Sequence, residues 1–336
     1  MTVSNGSIRN LKPGVWAPIP TFMDENEALD LATFKSHVVK LAKAGMAPVV
    51  CGSMGEAHHL LEEERLTLFK AARAALDEAG LKDTILIVGT GANSTRATIS
   101  LCKAAAGTGA DAVIVIPPGY FAGAMTRAAI KTFFLEVQAA SPLPVMMYNF
   151  PGAAGGIDVD SDLVEEIARE GSNICGIKLT CGAVGKLTRI TAATTAPEFA
   201  ETRQPFLTLG GFADFLAPAV IGGRGHGAIM GLGNIYPYAI SHLFDLAYGV
   251  ATAANPSSAD LKKALALQDL VSAADASFTR AGIAGTKWYL QKHNGYPSSR
   301  VRRPLLDFET ARGEALEKEE GVVKLMEIEK ALAKAA

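Results

Sequence analysis

Two residues of this 336-residue chain carry chemistry that stands out from their surroundings. Lys178 lies near the end of the apolar run ICGIKLT (174–180), and Tyr148 near the end of LPVMMYNF (143–150). An amine inside an apolar strand pattern is costly to bury unless it is paired or neutral. Burial disfavours the ammonium form, and an unprotonated lysine attacks ketones to form a Schiff base. Lys178 is therefore either such a nucleophile or a structural lysine paired with an acid across the fold. A phenol beside it could shuttle the protons needed to form a carbinolamine, lose water and cleave a bond. The other reading of Tyr148 is an aromatic lining residue. The turn GSMGE (52–56) adds a third feature. Its glycines leave backbone N–H groups open and Ser53 supplies a hydroxyl, a combination able to hold a carboxylate. Glu56 then packs or caps at the start of the next helix.

Two further clusters carry less. GEAHHLLEEE holds His58 and His59 near Glu56 and Glu62. A metal site would need such ligands, but adjacent histidines rarely bind one ion together, and LLEEER reads as a helix start. No metal is expected, although the histidines could line a site and touch a polar substrate tail. IGGRGHGAIMGLGN is glycine-rich, yet Arg224 and His226 precede the strand within it, at the wrong end for a phosphate loop. Packing and turn formation account for it. The cysteines Cys51, Cys102, Cys175 and Cys181 form no CxxC pair, so reduced thiols are expected.

Eight strand-length apolar runs position these residues: 14–19, 47–53, 84–91, 111–118, 143–150, 174–180, 206–212 and 227–233. Several lack clean alternation, as parallel strands buried on both faces do. Helical patterns fill most gaps. Residues 31–45 place Leu31, Phe34, Val38 and Leu41 on one face and end at Gly45; Ser94 offers an N-cap for another. Eightfold strand–helix alternation predicts an α/β fold, a (β/α)8 TIM barrel over residues 12–235. Residues 236–336 read as a C-terminal helical appendage. A doubly wound sheet is the runner-up, but the first strand leads into PIPTFMDENEALD rather than a glycine-rich nucleotide loop. In such barrels the working residues sit at the C-terminal strand ends. Lys178, Tyr148, Ser53, Tyr120 and Thr180 all fall there.

Composition narrows the partners. The chain is 49% hydrophobic and 20% charged, with net charge −2. It has no basic run, which disfavours nucleic acid and anionic membranes. No apolar run is long enough to span a membrane. The start, MTVSNGSIRN, has neither a signal-peptide core nor an Arg-rich transit pattern, so a cytoplasmic protein is expected.

GSMGEA, PPGYF, YNFPG and GIKLT, in this order on a matching barrel, resemble the dihydrodipicolinate synthase/N-acetylneuraminate lyase family of class I aldolases over roughly residues 12–308. The resemblance implies that Lys178 forms a Schiff base with pyruvate or another 2-oxo acid, that Tyr148 is the acid–base group, and that Ser53 relays protons. Tyr120 matches, loosely, a tyrosine that completes the relay across a subunit interface. Met54 stands where many members have a second hydroxyl. Ser53, Met54, Gly55, Thr180, Gly210 and Ala153 are the expected substrate contacts. Ala153 stands where members that make dihydrodipicolinate carry a carboxylate-binding arginine, which argues against that reaction. YNFPGAAGGIDVDSD and IKLTCGAVGKLTRI resemble fungal aldolases of 2-keto-3-deoxy sugar acids; GANSTRATIS and the general layout also resemble 4-hydroxy-2-oxoglutarate aldolases. The resemblance implies cleavage of a small 2-oxo acid to pyruvate and an aldehyde, no cofactor, and a homotetramer or homodimer. A catalytically silent barrel is the non-enzyme alternative.

Overall fold

The computed structural model describes residues 9–200 and 205–336. Eight parallel strands close into one barrel in sequence order: β1 (Gly14–Pro18), β2 (Ala47–Val50), β3 (Ile87–Gly89), β4 (Ala112–Val115), β5 (Val145–Asn149), β6 (Ile174–Leu179), β7 (Leu207–Gly210) and β8 (Gly227–Ile229). The barrel closes where Gly14, Val15 and Trp16 pair with Gly227, Ala228 and Ile229. Backbones approach closely at this seam: a Cβ on Gly227 would lie 1.7 Å from the Gly14 carbonyl oxygen. Each apolar run of the sequence contains its strand but overshoots it. The ladder stops where neighbouring chains diverge at the mouth, and the remaining apolar residues enter the loops.

The helices obey ordinary amphipathic and capping rules. α1 (Leu31–Lys43) buries Phe34, His37, Val38 and Leu41, and Asp30 caps it by accepting from the Thr33 amide. After α2 (Glu62–Glu78), α3 (Thr95–Ala106) starts from Ser94, whose hydroxyl accepts from the Ala97 amide. α4 (Arg127–Ala140) and α5 (Ser161–Glu170) follow, capped by Thr126 and Asp160, then α6 (Val184–Thr194) and the short α7 (Pro197–Ala200). Between β7 and β8 there is only a π-type turn, Pro218–Gly222. Arg224 has φ +57 ahead of β8, and the Nδ1 of His226 accepts from the Thr208 amide, so both serve the turn into β8 at the end away from the mouth.

α8 (Pro237–Thr252) packs on β1, and α9 (Ser258–Asn294), α10 (Thr310–Leu316) and α11 (Glu320–Ala335) gather around it. α9 is broken at Gly282, whose φ of 64° and ψ of −158° are open to glycine and strained for other residues. The apolar core runs without interruption from the barrel strands into these helices. His37 sits inside that core, bonded to Tyr296 (2.8 Å) and Asn234 (3.0 Å), and burial pushes its imidazole down to about 4. Cys51 and Cys175 are buried among apolar groups that push both thiols up to about 12, so they stay protonated.

Candidate active site

The β5–β6 register places Tyr148 directly opposite Lys178. Paired residues on parallel strands point to the same face, here the barrel interior. The Lys178 amine donates to the Tyr148 hydroxyl at 3.3 Å and lies 4.3 Å from its ring centroid. The same hydroxyl is 3.5 Å from Ser53 Oγ. One line of polar atoms therefore runs from β6 through β5 to the turn after β2.

Three lysines among the described residues are buried: Lys178, Lys186 and Lys287. Lys186 pairs with Asp158, and Lys287 pairs with Glu56 at 2.9 Å. Lys178 has no carboxylate partner among the described residues; its polar neighbour is the phenol. The β5 end is held from behind, since Asn149 donates to Asp158 and accepts from the Val159 amide.

The turn after β2 is tied to itself. The amides of Gly55 and Ala57 donate to the Gly52 carbonyl, and that of Glu56 to the Ser53 carbonyl. The amides of Ser53 and Met54 have no partner among the described residues, so they are free to bind an anion. Of the two roles expected of Glu56, packing or capping, its side chain makes no cap hydrogen bond and is packed inside instead. Its backbone takes φ +55, and its side chain is fully buried, accepting from Lys287 on α9 and, through Oε2, from the Arg302 amide at 2.7 Å. A carboxylate this deep requires its cation, and that cation comes from the C-terminal region.

Lys178, Tyr148, Ser53, Met54 and Thr180 line one cavity of about 260 Å³. Phe150, stacked 5.8 Å from Tyr148, extends its wall. Thr180 Oγ1 is buried without a partner. It fits only because Gly211 has no side chain: a Cβ there would lie 2.1 Å from that oxygen.

Four expected residues lie elsewhere. Gly210 ends β7 and is not at the cavity; its neighbour Gly211 is. Gly55 is absent from the lining because its backbone is spent on the turn, with its carbonyl accepting from Thr21. Ala153 and Tyr120 share a separate hollow of about 220 Å³ with His58 and Gly155. Tyr120 is 81% exposed and packs edge-on against Phe121, so it does not reach the Lys178–Tyr148 line within its own chain. His58 and His59 join no group of three metal-binding side chains among the described residues.

The far wall of the cavity was missed in the sequence. It consists of Asp275, Phe278, Thr279, Gly282, Ile283 and Thr286, all on α9. Asp275, Phe278, Thr279 and Gly282, spaced 0, 3, 4 and 7, share one helical face up to the break at Gly282, and Ile283 and Thr286 lie just beyond it; the pairing of Asp275 with Thr279 on that face was the available signal. Asp275 is 3% exposed. Its Oδ2 accepts from the amides of Ala213 (2.9 Å) and Asp214 (3.1 Å), fastening α9 to the loop after β7. Burial and the nearby Asp214 push the Asp275 carboxyl up to about 7.

Comparison with known proteins places this arrangement. The chain is 41% identical over 325 residues to the L-threo-3-deoxy-hexylosonate aldolase of Hypocrea jecorina, covering 96% of this chain and 99% of the relative. It is 42% identical over 297 residues to a protein of Emericella nidulans named "Probable 4-hydroxy-2-oxoglutarate aldolase, mitochondrial", covering 88% and 90%. Among solved structures, the prophage protein YagE of E. coli K12 in complex with pyruvate, which belongs to the dihydrodipicolinic acid synthase family, superposes with a TM-score of 0.81 at 26% identity, covering 94% of this chain and 98% of YagE. The Dihydrodipicolinate synthetase family model matches residues 12–320, and the chain belongs to that family.

Proposed function

We propose that this protein is a class I aldolase that cleaves a 2-keto-3-deoxy sugar acid to pyruvate and an aldehyde. The observation that carries this reading is the buried Lys178 amine, without a carboxylate partner and 3.3 Å from the Tyr148 hydroxyl. In this reading the free amides of Ser53 and Met54 hold the substrate carboxylate. Neutral Lys178 attacks the C2 ketone, and Tyr148 gives its proton to the oxygen that leaves as water. The resulting phenolate takes the proton of the C4 hydroxyl. The C3–C4 bond breaks, its electrons enter the iminium to form an enamine, and the aldehyde departs. Protonation at C3 and attack of water on the new iminium release pyruvate and restore the amine. The iminium is the electron sink, so the cycle calls for neither metal nor organic cofactor.

The substrate we favour is L-threo-3-deoxy-hexulosonate, giving pyruvate and L-glyceraldehyde; the Hypocrea relative bears that name. The Emericella relative supports 4-hydroxy-2-oxoglutarate, giving pyruvate and glyoxylate, as the second reading. Residues 12–235 carry the chemistry and the helices of 236–336 close over it. A part for Tyr120 in the relay requires a second copy of the chain, in keeping with a homodimer or homotetramer. No helix among the described residues is long and apolar enough to cross a membrane, and we place the enzyme in the cytoplasm.

Borohydride reduction in the presence of pyruvate tests the mechanism. One peptide, that containing Lys178, should gain a reduced pyruvyl group. Lys178→Ala should abolish both labelling and turnover, and Lys178→Arg should not restore them, because a guanidinium keeps its proton. Labelling of another lysine, or of none, excludes the Schiff-base reading.

A further inference from the structure

We infer that Asp275 is the specificity-determining residue of the cavity: it binds a hydroxyl on the aldehyde half of the substrate and disfavours substrates whose tail ends in a carboxylate. This rests on the aldolase reading and names the substrate class of the same site.

The argument begins with charge. Among the described residues that line the cavity, Lys178 is the one basic side chain and Asp275 the one acidic one. Lys178 is consumed in the covalent chemistry, and the substrate's own carboxylate has the Ser53 and Met54 amides. Within this cavity a second carboxylate finds no cation and meets Asp275 instead. An unpaired charge in so apolar an enclosure is costly, and a like charge beside it raises that cost.

The hydrogen bonding agrees. Oδ2 of Asp275 is occupied by two backbone amides. Oδ1 has no partner among the described residues, and Asp275 lines the cavity. The two amides hold Oδ2 and leave Oδ1 unengaged. With its carboxyl pushed up to about 7, the side chain bonds a hydroxyl in either state, accepting as a carboxylate and donating as an acid. Thr279, on the same face one turn on, and Thr286 supply neutral hydroxyls along that wall. A polyol tail pairs with such a row, whereas a glyoxylate-derived tail does not.

Asp275→Asn tests this with little change of shape. The amide oxygen still accepts from Ala213 and Asp214, while the open atom becomes a neutral donor. The wild type and the variant are assayed by steady-state kinetics on a six-carbon 2-keto-3-deoxy sugar acid and on 4-hydroxy-2-oxoglutarate, with pyruvate–borohydride labelling of Lys178 in parallel. Labelling should persist. The ratio of kcat/KM values should move toward 4-hydroxy-2-oxoglutarate by about 10- to 100-fold, mostly through a higher KM for the sugar acid. Equal losses on both substrates would reduce Asp275 to a fastener of α9 and overturn the inference. Asp275→Ala reads the same ratio should the first variant not fold. A wild type that pyruvate and borohydride do not label fails at the aldolase reading, which is a separate outcome from an unchanged ratio.

Discussion

At the scale of single residues, the site depends on one phenol. Tyr148 touches both Lys178 and Ser53, and in the proposed cycle it gives and takes protons at two stages. Tyr148→Phe keeps the ring, its stacking on Phe150 and its contact with the Lys178 amine, and removes only the hydroxyl. The variant should melt near the wild type and lose about 10²- to 10⁴-fold in kcat, the usual worth of a positioned acid–base group. Near-normal turnover, measured with a coupled pyruvate assay, would mean that the proton travels another way. That Lys178 and Tyr148 sit together was legible in the sequence, because a polar side chain at the end of an apolar run is conspicuous. Gly210 and Ala153, expected contacts that lie away from the cavity, carry no such mark in the sequence. Neighbouring glycines look the same there; Gly210 pairs with Leu179 in the ladder, and Gly211 is the one that lines the cavity.

At the scale of elements, the turn after β2 and the second half of α9 are welded by the Glu56–Lys287 pair, both side chains wholly buried. Removing one partner of such a pair strands the other charge, at a cost of about 3–5 kcal/mol. Lys287→Ala should therefore lower the unfolding free energy from urea titration by an amount of that order. The double change Glu56→Gln with Lys287→Met should recover much of it, because it leaves no lone ion. A Lys287→Ala variant within about 1 kcal/mol of wild type, on a scale where ordinary surface substitutions fall, would show that the weld is not structural. The sequence could not reveal this contact, since its residues are 231 positions apart. The strands and most helices were readable because apolar periodicity and caps such as Ser94 and Asp160 are local. The packing of the last hundred residues against the mouth is a tertiary matter. Helical periodicity shows that a face will be buried without showing against what.

At the scale of the whole molecule, the core that joins barrel and C-terminal helices carries a titratable group. His37, pushed down to about 4, stays neutral in the fold, whereas in the unfolded chain it takes a proton near 6.5. Between those values the unfolded state holds more protons, so this histidine makes stability rise with pH through that window and fall on acidification. The span of about 2.5 units corresponds to roughly 3 kcal/mol lost by pH 4. Asp275, raised toward 7, acts in the opposite sense over an overlapping range. The difference between wild type and His37→Gln therefore isolates the histidine. The variant should be less stable at pH 7, having lost its bonds to Tyr296 and Asn234, and should show a flatter decline between pH 6.5 and 4 in urea titrations. Parallel profiles for the two proteins would remove His37 as the acid-sensitive group.

The break at Gly282 and the wall it carries bear on the order in which the protein is made. Every strand of the barrel precedes residue 230, but the face of α9 at the cavity is translated afterwards, ending with Thr286. At about 5–20 residues per second the ribosome needs several seconds more to supply it. During that interval Glu56 has no lysine, and the wall of the cavity that α9 supplies is missing. A nascent chain arrested after residue 252 would hold all eight strands yet carry a bare carboxylate where the finished enzyme has an ion pair. The last segment synthesised is thus the one that converts a ring of strands into a vessel.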